Sequence, residues 1–220
     1  MTEENRSIVT QGTEVENIES AAREDSGFEA FLKFDKGKYY IAEDEVPLGT
    51  EFIAHIKAWV KCWIKFVDGA LKERRVYRVA LGERPPERED LDDLDQSTWP
   101  LGLDDKPADP WVFQYLVPFE KIETGEVVIF KTPSIGGRIA VGDLGKAWSR
   151  RAKKVANCGQ PKVKLAATDM PSKKWGRVPR PLFEIIAWDD REASGDVEVL
   201  SPEQGSFGDG GGEMNDEIPF

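Results

Sequence analysis

The 220-residue chain has two cysteines, one histidine and no apolar run near the length of a membrane-spanning helix. Each shortage excludes something. Two cysteines cannot staple a secreted disulfide scaffold, and Cys62 and Cys158 are not at a metal-ligand spacing. A single histidine excludes a multi-histidine metal centre. Without about 20 consecutive apolar residues no membrane helix is expected. The acidic start Met1-Thr2-Glu3-Glu4 is unlike a signal peptide, so the expectation is a cytoplasmic protein with no membrane partner. No Gly-rich phosphate loop and no nucleophile–His pairing is found; catalytic residues, metals and cofactors are therefore expected to be none. Basic residues are also in the minority, 30 Lys and Arg against 41 Asp and Glu, for a net charge of −11. Taken whole, that balance argues against a nucleic-acid binder.

Mapping the charge along the chain reverses the conclusion. Residues 1–30 carry a net −6, residues 83–110 a net −7 and residues 189–220 a net −9. The remaining residues therefore hold 24 bases and 13 acids, net +11. Residues 1–30 read as a disordered acidic arm, because their isolated apolar residues have no sustained period and bury too little to offset chain entropy. Residues 191–220 read as a flexible acidic tail, passing through Gly210-Gly211-Gly212. Residues 83–110, with Pro85-Pro86 and an Asp-rich run, read as a long solvated loop inserted into a body spanning residues 31–190.

The body reads as mainly β. Over residues 55–67 the even positions Ile56, Ala58, Val60, Cys62, Ile64 and Phe66 are all apolar, which predicts one half-buried strand. The odd positions are His55, Lys57, Trp59, Lys61, Trp63 and Lys65. Asp68-Gly69 then suits a two-residue type I′ turn into a second strand over 72–81. In that register Arg74 lies opposite Trp63 and Arg78 opposite Trp59, with Tyr77, Val79 and Leu81 in the core row. A three-residue loop would instead bring Arg75 and Tyr77 beside the tryptophans. Further strands are expected near 39–41, 111–117, 127–130, 162–167 and 182–188. One helix is expected with Asp143 as its cap, carrying Leu144, Trp148, Arg151, Ala152 and Val155, and ending at Cys158-Gly159. This order suits a five-stranded Greek-key barrel of the OB type with elaborations, and a β-sandwich with one helix fits it as well.

Lys57, Trp59, Lys61, Trp63 and Lys65 would alternate ammonium and indole groups at about 6.5–7 Å along one strand. That spacing suits an unpaired nucleic-acid strand, whose bases stack on indole while its phosphates meet Lys and Arg. The competing reading is that the tryptophans pack beneath another layer and the lysines snorkel around them. A second basic and aromatic group, Lys173, Lys174, Trp175 and Arg177, lies between two expected strands, where an OB-fold loop closes over a bound strand.

The chain ends Asn215-Asp216-Glu217-Ile218-Pro219-Phe220 after the Gly-rich linker. Ile-Pro-Phe at a terminus arises by chance on the order of once in 10⁴ chains, so the ending is specific. It closely resembles the acidic C-terminal tip of bacterial single-stranded DNA-binding proteins, and several bacteriophage members likewise end in an acidic tail with a terminal aromatic. The likeness covers about eight residues, and Asn215 stands where that family usually has an acid. It implies that Asp216, Glu217, Ile218, Pro219 and Phe220 bind replication, recombination and repair enzymes. Such proteins assemble through body surfaces, which leaves a homo-oligomer open. Physically, Phe220 offers a ring and a free carboxylate on one residue, suited to an apolar pocket with a cation at its lip. The acids would steer encounter with a basic rim.

These readings converge on a phage- or prophage-encoded protein that coats single-stranded DNA and recruits enzymes through its tip. The −9 tail and the +11 body predict that the tail competes with DNA for the body. A metal-dependent DNA-processing enzyme that borrowed the tip is the alternative, with Asp169, Glu184, Asp189 and Asp190 as its carboxylates.

Overall fold

The computed structural model describes residues 30–102, 105–174 and 176–190. The body is mainly β, a curled half-barrel sheet with one α-helix. Its strands are β1 (Ala30–Asp35), β2 (Lys38–Ile41), β3 (Asp44–Val46), β4 (Glu51–Ala54), β5 (Val60–Val67), β6 (Ala70–Arg78), β7 (Trp111–Lys121), β8 (Val127–Thr132), β9 (Gln160–Ser172) and β10 (Gly176–Asp189). The helix α1 (Ile135–Ala152) connects β8 to β9. The main path runs β10-β9-β4-β7-β8-β1-β2-β3, and β5 also lies along β7 with β6 beyond it. Among the described residues only the β1–β8 pairing is parallel. Every segment expected as a strand contains at least part of one, with the bounds changed at 55–59 and 79–81. Three others, β1, β3 and β4, carry no clear alternation and emerge only through their pairing.

The strand expected over 55–67 begins only at Val60, because Ile56–Ala58 form a 3-10 turn that separates β5 from β4. Strand β7 pairs with both β4 and β5 but in different registers. Ala54 lies opposite Phe119, whereas Val60 lies opposite Leu116. Five residues separate Ala54 from Val60 and only two separate Leu116 from Phe119, so three residues are looped out. An odd slip reverses the alternation. Phe52, Ala54 and Ile56 therefore face the main core with Val117, Phe119 and Phe130, while Val60, Cys62 and Ile64 face a second cluster with Leu116 and Ile129. The buried Gln160 secures the turn, its Oε1 accepting from the Ile56 N–H at 3.0 Å.

The β5–β6 hairpin has the expected two-residue turn, with Asp68 and Gly69 both at positive φ and Val67 opposite Ala70. A bulge then intervenes. Phe66 pairs with Leu71 but Lys65 pairs with Glu73, leaving Lys72 extra. The pairing past it puts Arg75 opposite Trp63 and Tyr77 opposite Lys61, and puts Arg74 opposite Ile64 and Arg78 opposite Val60. Arg74 and Arg78 thus sit on the face away from Trp63, contrary to expectation. Val79–Leu81 is a 3-10 turn with Leu81 exposed, so the core row does not continue through it.

Helix α1 starts nine residues before the expected site. Ser134 caps it, its hydroxyl accepting from the Gly137 N–H at 3.1 Å. Asp143 lies mid-helix, 3.3 Å from Lys146 and 3.8 Å from Arg180, and the helix stops at Ala152. Its buried stripe is Gly136, Gly137, Ala140, Val141 and Leu144. The small residues permit close approach. A Cβ on Gly137 would stand 1.9 Å from Thr132 Oγ1, and one on Gly145 would stand 3.1 Å from the Trp59 ring.

Gly137→Ala should therefore cost on the order of 1–3 kcal/mol or more through overpacking. Gly142→Ala, with nothing within 4 Å of the added carbon, should be neutral or stabilise by up to about 1 kcal/mol. Urea unfolding of both variants checks the pair; equal effects would mean that helix–sheet approach is not the constraint.

Candidate nucleic-acid interface

The slip at Ile56–Ala58 brings the odd residues of β5 and β7 onto one face, as neighbours. Lys61 pairs with Tyr115, Trp63 with Phe113 and Lys65 with Trp111. Five rings follow one another across this face. Trp59 and Tyr115 have centroids 5.1 Å apart, Tyr115 and Phe113 5.7 Å, Phe113 and Trp63 4.8 Å, and Trp63 and Trp111 6.5 Å. Three of the rings come from β7, which the sequence reading treated only as a strand. Their signal was Trp111, Phe113 and Tyr115 at alternate positions, which places them on one side of any strand.

Cations border the rings. Lys61 Nζ lies 5.7 Å from the Trp59 centroid and 5.6 Å from that of Tyr115. Arg138, from α1, lies 5.8 Å from Phe113. Lys57 is exposed beside Trp148 at 5.8 Å. At the other end Lys65 lies 5.6 Å and Arg75 4.8 Å from Trp111. These distances suit cation–π attraction of the ammonium and guanidinium groups to the ring faces. The Trp59 Nε1–H is buried against the helix with no hydrogen-bond partner among the described residues. An orphan donor of that kind is costly to the fold.

The two ends of the row differ. Trp59, Tyr115 and Phe113 are half-buried, whereas Trp63 is 8% and Trp111 3% exposed. The acidic insert covers them. Leu91 is buried against both rings, the Trp63 indole N–H donates to the Pro86 carbonyl at 3.0 Å, and that of Trp111 donates to Asp92 Oδ1 at 2.9 Å. Lys65 is bound to Asp92 at 2.9 Å and also to Asp93. The expected solvated loop is instead a packed lobe. Arg88 braces it, donating to both Asp109 oxygens and to the carbonyls of Asp92 and Asp93. For Trp63, packing beneath another layer is what the structure has.

The remaining expected residues lie elsewhere. Lys173 and Lys174 are exposed in the β9–β10 turn, and Arg177 donates to Asp169 at 3.4 Å. That hairpin packs on α1 through Arg180 and Met170 beside Gly136, and its turn lies beyond that contact. Trp175 and the tip residues Asp216, Glu217, Ile218, Pro219 and Phe220 lie outside the described residues, as do residues 1–29 and 191–215.

The four carboxylates of the enzyme alternative are strung along one hairpin. Asp169 bonds Arg177, Glu184 lies opposite Lys164, Asp189 opposite Gln160, and Asp190 pairs with Arg151 at 3.3 Å. Among the described residues no group of three or more His, Cys, Asp or Glu could hold a metal ion. Cys62 and Cys158 are free and buried, and burial pushes the Cys62 thiol up to about 11. Among the described residues, no helix is long and apolar enough to cross a membrane. In comparisons with known proteins, no family model, curated protein or solved structure matches the chain.

The Lys65 ammonium, chiefly, and the Trp111 indole N–H hold the Asp92 carboxyl below its ordinary range. A carboxyl lowered by folding stabilises fully above its unfolded pKa, about 3.9, and that contribution is lost as pH falls through the folded value. Acidification below about pH 4 should therefore loosen the insert from Trp111 and Lys65 and shift the tryptophan emission. In Asp92→Asn this transition should shrink; one of full size in the variant would show that Asp92 does not govern it.

Proposed function

We propose that this chain is a single-stranded DNA-binding protein of bacteriophage or prophage type, with an OB-like body and an enzyme-recruiting tip. The observation that carries the reading is the row of rings formed by Trp59 and the facing residues of β5 and β7, with Lys61 and Arg138 against it and Lys57 exposed nearby beside Trp148. Unpaired bases stack on Tyr115, Phe113 and the exposed part of Trp59. The backbone lies along the three cations. A duplex hides its base faces within its own stack, so the surface prefers an unpaired strand, and stacking accepts any sequence. The ending Asp216-Glu217-Ile218-Pro219-Phe220 supports the second half of the proposal, recruitment of replication, recombination and repair enzymes to the coated strand. The curled sheet with its connecting helix agrees with an OB-like body without requiring one.

Three open cations predict a log–log salt slope near −2 with oligo-dT, at roughly −0.7 per phosphate. Tyr115→Ala should weaken binding by about 1–3 kcal/mol, the value of one stacked base, while Tyr115→Phe retains the ring and should bind nearly as the wild type. Fluorescence titration of both variants decides it. Equal affinity for Tyr115→Ala would remove this face from the binding site.

A further inference from the structure

One corner of the aromatic face is already in contact with anions, and they belong to the protein itself. Lys65 Nζ meets Asp92 Oδ2 at 2.9 Å and also touches Asp93. The second oxygen of Asp92 accepts from the Trp111 indole N–H at 2.9 Å. One carboxylate therefore bridges an ammonium and the indole N–H of a ring that meets Trp63 edge-on. Two oxygens of a phosphodiester would find the same two donors there.

We propose that Lys65 Nζ and Trp111 Nε1 form a further backbone-phosphate subsite for the bound strand, and that the acidic insert holds it shut with Asp92 and Asp93. The subsite rests on the single-strand reading above. It continues the row of rings past Phe113, because Lys65 and Trp111 are the next pair along β5 and β7 after Trp63 and Phe113.

The lock is built to be exchanged. The Asp92 and Asp93 side chains are 53% and 38% exposed, and an ion pair in water contributes little to stability. The Lys65 side chain is only 14% exposed, so it reaches a ligand once the carboxylates move aside. The insert is meanwhile braced from within by Arg88 on Asp109 and by the Trp99 N–H on the Asp93 carbonyl, neither of which involves Lys65. Releasing Lys65 therefore leaves the lobe its own fold. Arg75 lies beside the same ring, 4.8 Å from Trp111 and bonded to Glu73 at 2.6 Å.

The test compares the full chain with Asp92→Asn/Asp93→Asn in salt-varied titrations with oligo-dT. Asn keeps a carbonyl oxygen for the Trp111 N–H and removes the charge on Lys65. The variant should gain one phosphate contact, so its slope should steepen by about 0.7 and its affinity at 0.1 M salt should rise roughly fivefold. Adding Lys65→Gln to this variant should abolish the gain. Glu89→Gln/Asp90→Asn removes the same charge from exposed positions of the insert and should leave the slope as it is. An unchanged slope in Asp92→Asn/Asp93→Asn, or equal effects of the two pairs, overturns the subsite while the single-strand reading stands. Absence of salt-sensitive binding in the wild type and the variant alike overturns the single-strand reading, and the subsite with it.

Discussion

The three-residue slip between β4 and β5 against β7 is the constraint on which the rest of this structure depends. Strand β7 supplies hydrogen-bond partners to both, but Ala54–Phe119 and Val60–Leu116 cannot belong to one uninterrupted ladder. Looping out three residues reverses the side-chain phase, and everything on that face follows. Without the reversal, Cys62 and Ile64 would point toward Trp111 and Phe113, and the lysines and tryptophans of β5 would point into the second apolar cluster. With it, the cation-bearing side of β5 and the aromatic side of β7 share one surface. Helix α1 lies across one end of that surface, where its glycines let Trp59 approach, and the acidic insert covers the other.

Charge is organised around the same surface. Mapped along the sequence, the insert reads as a long solvated acidic loop inserted into a basic body. In three dimensions its Asp92 and Asp93 are bonded to Lys65, so part of the negative excess is already spent on the basic face. The insert also contributes packing through Leu91, and that contribution is independent of charge. An element that is apolar toward the rings and anionic toward the lysine can hold its place by the first property and yield by the second.

Much of the architecture was legible because period-two alternation is a local property. It identified the hairpin, its Asp68-Gly69 turn and the approximate places of β7 through β10. The helix start was misread for a physical reason. Gly136, Gly137, Gly142 and Gly145 lower intrinsic helix propensity, yet those at 136, 137 and 145 are what close contact with Thr132, Arg180 and Trp59 requires. The bulge at Lys72 was equally invisible, since one extra residue leaves no mark on composition and still moves Arg74 and Arg78 to the opposite face.

By itself the sequence determined that the body is β-rich and basic, that lysine and tryptophan alternate along one segment, and that the chain ends in an acidic stretch closed by Phe220. These are properties of neighbouring residues, and no fold is needed to read them. Only the tertiary structure decided which rings meet, which cations border them and that Trp63 is covered. Those outcomes depend on register between strands some 50 residues apart in sequence, and a register is set by packing along the whole ladder, which no local pattern encodes.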